Sequence, residues 1–447
     1  MAIAPRSCDA LVIGAGAGGL CAAALLARGG HRTLLVESRD RVGGRASTVE
    51  EDGFLVNTGA IAIEPGGALE EVFRRVDAPF EIRVPNPCTV FRLRGRDVDL
   101  SRGGWGRLVN GLTRRGAGVL SDMGRARGGE MPDERLTVRE WLDGYTSNRT
   151  LHAIFRNLCA AIFAVNAEEM PARAFLTYFI RKGAFRTFGF SPTGTLGLMR
   201  GLATAVERDG GEVWLGSSVR ALRVEDGRVR SATVERDGAL VEVECAAVVS
   251  NAGPAATVAL CGRSHLSAGY LERMDRDLRS TANIVVNIAS REPLMKAPGI
   301  VTFGRTRRLC NMANLTATCP ELAPPGWHLY VAYGVPVPAA GDFDEEQEVA
   351  LTLEDLREQL RGFDRARVLS VRVMRGEWPA QRSIAGLDLP RETSLANLWN
   401  VGDGVREYAS GGVQACAETA LLVVEAISAA GAAAASGTGG LVEAEHR

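Results

Sequence analysis

Lysine is almost missing from this chain. Of its 52 lysine and arginine residues, Lys182 and Lys296 are the two lysines. Basic charge is therefore carried by arginine, which reads as coding bias, because 53 acidic residues leave a formal net charge of −1. Such a balance gives no electrostatic case for nucleic acid. Paired cysteines are missing too. The nine cysteines, at 8, 21, 88, 159, 245, 261, 310, 319 and 416, stand singly, with no C-x-x-C and no zinc spacing. An odd number among apolar neighbours points to free thiols in a reducing cytoplasm. The five histidines fall in no ligand pattern, so no metal is expected, and no Ser/His or Cys/His nucleophile constellation appears. No basic segment leads into an apolar run with a cleavage site, so a secretory leader is not expected.

What is present begins at residue 9 with DALVIGAGAGGLCAAALLA. This apolar run is long enough to suggest a membrane span, but its glycines and the strand-like sequence after it fit a buried βα unit better. Residues 10–13 read as a buried parallel strand. Gly14, Gly16 and Gly19 then fit G-x-G-x-x-G. The first glycine permits the tight turn, the second lets backbone approach a pyrophosphate, and the third lets the next helix pack on the sheet. The helix, 18–28, is rich in Ala and Leu and stops at Gly29-Gly30. Its N-terminal N–H groups favour a phosphate. A second strand, RTLLVES, ends at Glu37, where a carboxylate can accept from ribose hydroxyls and disfavours a 2′-phosphate. The ligand class is an ADP-containing dinucleotide; at this point NAD and FAD both remain open.

With 447 residues, 46% of them hydrophobic, the chain has material for two or three domains. After Glu37, Gly43-Gly44 form a second glycine turn, with Arg45 placed to meet a pyrophosphate. DGFLVNTGAIAI, 52–63, reads as a strand-like segment with Gly59 inside it. A hairpin is expected around Gly95, and a glycine-rich loop at 115–130. Helical patterns cover 137–145, 151–165, 172–182, 197–208 and 344–362. Strands are expected at 212–216, 218–225, 228–235 and 239–245, followed by a separate apolar strand, AAVVSNAG, ending in another glycine turn. Further strands lie in TANIVVNIAS, RRLCNMANLT and WHLYVAYGV. FLTYFIRKGAFRTFGF, 175–190, mixes aromatics with cations, and reads as a core helix or as a membrane-facing entrance. The end of the chain gives strand, glycine turn and long helix, then an Ala/Gly/Ser-rich tail.

Five elements thus stand in a fixed order: the first glycine motif with Glu37, RVGGRAST, GFLVNTGA, the meander ending in VVSNAGP, and NVGDGVREYASGGVQACAETA. This order resembles the FAD-dependent amine oxidase and phytoene desaturase superfamily over nearly the whole chain. The stretch NMANLTATCPELAPPGWHLYVAYG is more similar to the phytoene desaturase-related branch. The resemblance implies an α/β fold. Its Rossmann-like FAD domain, of the discontinuous GR2 type, would take 1–80, 190–265 and 370–430. A mixed α+β substrate domain on an antiparallel sheet would take 81–189 and 266–369, leaving 431–447 as a flexible tail.

The resemblance also implies site residues. Gly14, Gly16 and Gly19 would cradle the FAD pyrophosphate, and Glu37, with Ser38 and Arg39 beside it, the adenosine ribose. Gly43, Gly44 and Arg45 would close over the phosphates and ribityl chain. Asn57 and Gly59, Val219 near the adenine, and the turn Asn251, Ala252 and Gly253 would complete that half. Gly402 and Asp403 would meet the pyrophosphate or ribityl, and Gly412 and Val413 would start a helix aimed at the flavin pyrimidine. This set favours FAD over NAD. Asn57 stands where many relatives carry an acid. TANIVVNIAS has Asn283 and Asn287 but no flavin-proximal lysine, and EWPAQRSIAGL has no cysteine, so FAD is expected to be non-covalent. Tyr408 and Glu407 are the catalytic candidates, and Tyr330, Tyr333, Asn311 and Asn314 the substrate-pocket candidates. The expected reaction is hydride transfer at a carbon–carbon bond of a largely apolar small molecule, in a cytoplasmic protein with peripheral membrane contact left open. A C–N amine oxidase, a redox-neutral isomerase and a non-enzymatic prenyl carrier are the alternatives.

Overall fold

The computed structural model describes residues 6–59, 62–93, 95–99, 131–180, 187–408 and 410–438. The glycine-rich loop expected at 115–130 and the cations Arg181, Lys182 and Arg186 lie outside them.

The opening motif folds as strand Arg6–Ile13, a turn, and helix Ala17–Arg28. Gly14 sits at φ +92°, which other residues resist. A Cβ on Gly19 would lie 1.9 Å from the Gly14 carbonyl oxygen, so only glycine lets the helix lie this close to the strand. Eleven of the twelve helix residues, Ala17 to Ala27, are buried. Apolar on every side, the helix packs on the sheet, on helix Gly194–Arg208 and on the C-terminal helix Gly412–Thr438.

The first sheet has seven strands drawn from distant parts of the chain. Its path runs Glu212–Trp214, Thr33–Val36, Arg6–Ile13, Ala239–Ser250, Arg228–Arg236, Ser218–Glu225, with Leu398–Asn400 paired to Ala239–Ser250. Ala239–Ser250 is one strand where sequence suggested two. Its first half pairs antiparallel with Arg228–Arg236, and its second half runs parallel to both Arg6–Ile13 and Leu398–Asn400. No turn residue interrupts Cys245-Ala246-Ala247, so the strand changes partner without stopping. Its parallel half ends beside the first glycine turn, where Asn251 N–H donates to the Ile13 carbonyl.

The second sheet also has seven strands, ordered Arg367–Met374, Asn283–Ser290, His328–Gly334, Leu309–Asn314, Ile300–Phe303, Thr89–Leu93, Arg96–Asp99. Its ladders are antiparallel except one: Ile300–Phe303 runs parallel to Thr89–Leu93, which makes the sheet mixed. Ile300–Phe303 and Arg367–Met374 are additions to the sequence reading, one very short and the other, RVLSVRVM, with Arg367, Ser370 and Arg372 breaking its apolar run. The segment 52–63 is also corrected. It supplies strand Phe54–Asn57 of a small hairpin with Thr48–Glu51, and Gly59 lies beyond the strand. A Cβ there would sit 2.0 Å from the Arg45 carbonyl oxygen.

Helix Ala172–Ile180 joins an aromatic core, with the Phe175 and Phe179 ring centroids 4.7 Å apart and Phe163 and Tyr178 5.0 Å apart. The C-terminal helix continues to Thr438, past residue 431 where the tail was expected to begin; alanine's propensity favours this extension. That helix is long and apolar enough to cross a membrane by composition. In the fold, Val413, Ala417, Ala420, Val423 and Ile427 pack into the core that holds helix Ala17–Arg28 against the first sheet.

Candidate functional site

Between the two sheets lies a cavity of about 1360 Å³. That exceeds the roughly 300–1,000 Å³ of a pocket for one small molecule. One end is built by the glycine turns. Gly14, Gly16 and Ala17 line it at the start of their helix, facing Gly43, Gly44, Asn251 and Ala252. A Cβ on Gly16 would come 2.5 Å from Asn251 Nδ2, so glycine keeps this wall thin. Glu37 is held at the end of its strand by Ala15 N–H at 2.7 Å and Arg39 N–H at 2.9 Å. Glu37, Ser38, Arg39 and Val219 all line the cavity here, and the Arg39 guanidinium stacks 3.9 Å over the Trp378 ring.

Further in, Arg45 grips Asp403 at 2.5 and 2.7 Å and donates to the carbonyls of Pro379 and Ala380. Asp403 also accepts from Arg382 N–H at 3.0 Å. Burial opposes its charge, but Arg45, with Arg406 and Arg382 nearby, holds the Asp403 carboxyl well below the usual range. Arg45 and Asp403 thus line the cavity largely satisfied by each other. Arg382, which sequence reasoning missed, stands beside this pair. It lines the cavity, its buried Nε has no partner, and burial with Arg45 as neighbour pushes its guanidinium down to about 10. Its only sequence signal is its place in EWPAQRSIAGL, three residues after Pro379.

At the far end, Gly412 and Val413 open the C-terminal helix into the cavity. Gln414 clamps the facing loop by accepting from Leu69 N–H at 2.9 Å and donating to the Glu64 carbonyl. Glu64 and Glu418 line the cavity beside it, and burial with Glu418 nearby pushes the Glu64 carboxyl up to about 7. Ala160, Ala161, Ile162, Tyr178 and Phe188 make an apolar wall. The second sheet contributes the floor, including Asn283, Asn311 and Tyr333.

Other expected site residues lie elsewhere. Gly19 packs helix on strand, as its clash with Gly14 requires. Asn57 N–H donates to Asn287 Oδ1 at 3.2 Å, and Asn287 Nδ2 returns a bond to the Asn57 carbonyl at 2.9 Å, joining hairpin to sheet. Gly253 begins helix Pro254–Cys261 beneath Arg382, where a Cβ would meet that side chain at 2.6 Å. Gly402 N–H donates to Thr419 Oγ1. Neither Tyr408 nor Glu407 lines the cavity. Tyr408 is 40% exposed, and Glu407 is paired with Arg391. Tyr330 is core packing, its hydroxyl accepting from Leu294 N–H at 3.0 Å. Asn314 also falls outside, bonded to Thr316. The strand register turns Tyr333 and Asn311 inward and these neighbours away.

Residues 17–428 match the family described as flavin containing amine oxidoreductase. A lycopene-forming phytoene desaturase of Pseudescherichia vulneris is 26% identical, over 74% of this chain and 77% of its own. The crystal structure of an oxidoreductase from Methanosarcina mazei superposes with a TM-score of 0.83 at 27% identity, covering 93% of this chain and all of that one. Putrescine oxidase bound to putrescine shares the fold, with a TM-score of 0.71 at 16% identity over 95% of this chain and all of its own.

Proposed function

The chain belongs to the flavin-containing amine oxidoreductases, and from that premise we propose that it is an FAD-dependent enzyme that moves a hydride at a carbon–carbon bond of a predominantly hydrocarbon substrate. The observation that carries this reading is the single cavity joining the dinucleotide turns to an apolar wall between the sheets.

The residues present fit FAD. The thin glycine wall beside Asn251, the fixed Glu37 carboxylate and the buried, unpartnered Nε of Arg382 suit pyrophosphate and ribose. Gly14, Gly16, Gly44, Asn251 and Arg382 would hold the phosphates, and Glu37 the adenosine ribose. The N-terminus of Gly412–Thr438 would favour negative charge near it. Bound there, FAD would supply two-electron hydride chemistry. The chain's own part is to exclude water with Ala160, Ile162 and Phe188 and to orient the substrate. Cys416 lines the cavity, but burial pushes its thiol up to about 12, which leaves little thiolate and supports non-covalent binding. All nine cysteines are free and eight are buried, which supports a reducing, cytoplasmic setting.

A second reading has its own support. Glu64 and Glu418 line the cavity and offer carboxylates to a substrate ammonium, which favours a C–N oxidase. Against it, Asn283 rather than lysine faces the cavity from strand Asn283–Ser290. The test is the flavin and product content. Acid precipitation of purified protein should release FAD, and incubation with an isoprenoid and an electron acceptor should yield a product two hydrogens lighter. FMN, no flavin, flavin retained in the pellet, or a deaminated product would contradict the proposal.

A further inference from the structure

One face of the second sheet floors the cavity, and its side chains are not those that a plain hydrocarbon needs. Alternate residues of Asn283–Ser290 share a face, and the strand register carries that face across the sheet. Val285, two residues from Asn283, pairs with Tyr333, Tyr333 pairs with Asn311, and Asn311 pairs with Thr302. Ile300, two residues from Thr302, pairs with Thr89. Asn283, Tyr333, Asn311 and Thr89 therefore lie on one face, and all four line the cavity.

Each carries a buried oxygen without a hydrogen-bond partner: Asn283 Oδ1, Asn311 Oδ1, the Tyr333 hydroxyl and Thr89 Oγ1. Such atoms are exceptions in folded proteins, and four on one face form a pattern. Asn311 is also oriented, because its Nδ2 donates to the Ala161 carbonyl at 3.4 Å and leaves Oδ1 as its free end. Burial pushes the Tyr333 phenol well up, so it keeps its proton at neutral pH. None of the four is charged.

We infer that the substrate carries an uncharged hydroxyl group, and that this hydroxyl docks on the directly paired Tyr333 and Asn311, with Asn283 and Thr89 flanking them on the same face. Amide oxygens only accept, whereas the phenol and the threonine hydroxyl donate and accept. An alcohol matches both roles: it gives its proton to an amide oxygen and receives one from Tyr333. A carboxylate would face two more acceptors. The hydrocarbon remainder then has the wall of Ala160, Ala161, Ile162 and Phe188. The inference rests on the proposed flavin reading of the cavity, and narrows its substrate from a hydrocarbon to an amphipathic alcohol.

Equilibrium dialysis of the flavin-loaded protein against three labelled probes tests this: geranylgeraniol, the hydrocarbon lacking its hydroxyl, and geranylgeranylamine. A site built for a hydroxyl rejects the analogue lacking it, so the alcohol should bind tighter by roughly tenfold or more. Tyr333→Phe keeps the shape and should bring the alcohol's affinity toward the hydrocarbon's while leaving the hydrocarbon's unchanged. Asn311→Leu should do the same, and Asn311→Ser should restore part of the difference. The inference is overturned if the hydrocarbon or the amine binds as tightly as the alcohol, if the alcohol does not bind, or if Tyr333→Phe weakens both ligands equally. The flavin assay is separate: absence of FAD would count against the cofactor reading, while the same dialysis of the protein as purified still reads the floor.

Discussion

Asp403 is buried between Arg45 and Arg382, and its two oxygens are committed to Arg45 and to a backbone N–H. Removing one partner of a buried pair leaves the other charge uncompensated, which costs about 3–5 kcal/mol. Asp403→Ala should therefore lower the urea unfolding free energy by that amount and weaken FAD binding by roughly tenfold or more. An unchanged urea midpoint would mean that water screens the pair. Glu64 offers a pH test. Its carboxyl titrates at about 7 in the fold, above its ordinary value of 4.5. The penalty for its charge is absent below the ordinary value and fully present above 7, so stability falls as pH rises through that window. Glu64→Gln should match the parent near pH 4.5 and exceed it at pH 8 by at most about 3 kcal/mol, less to the extent that water reaches the group. A pH-independent difference would contradict this. At this scale the glycines of the turns were legible, because backbone conformation and close approach restrict residue type directly. Arg382 was not, because only the fold brings residue 382 beside 45 and 403.

The opening βα unit was readable almost to the residue, since strand, turn and helix each leave a local mark in 9–37. Two glycines expose the difference between packing and permissiveness. Gly19→Ala would drive a Cβ into backbone at 1.9 Å, an overpacking cost of roughly 1–3 kcal/mol or more, and should empty the protein of flavin. Gly269→Ala meets nothing within 4 Å inside helix Ala268–Asp277 and should stabilise by up to about 1 kcal/mol. Thermal denaturation and the flavin-to-protein absorbance ratio of the two variants check the contrast; equal behaviour would contradict it. The strands of the second sheet were harder to read. Ile300–Phe303 has only four residues, all buried, and no polar alternation marks which face turns inward. Register, not composition, separates Tyr333 and Asn311, which line the cavity, from Tyr330 and Asn314, which do not.

Across the described residues, two seven-stranded sheets flank the cavity, with glycine turns on the first and a partly polar floor on the second. The order of motifs along the sequence announced the first half, because each glycine turn recurs at a strand end. The second half depends on strands between Thr89 and Met374 meeting in one sheet, which no local signal encodes. We propose that this cavity performs flavin chemistry on a carbon–carbon bond. The most direct test is anaerobic mixing of the flavin-loaded protein with isoprenoid alcohols and, separately, with primary and secondary amines, while the flavin absorbance is followed. Bleaching by an isoprenoid alcohol is expected, and none by the amines. Rapid bleaching by an amine, with none by any isoprenoid, would contradict it.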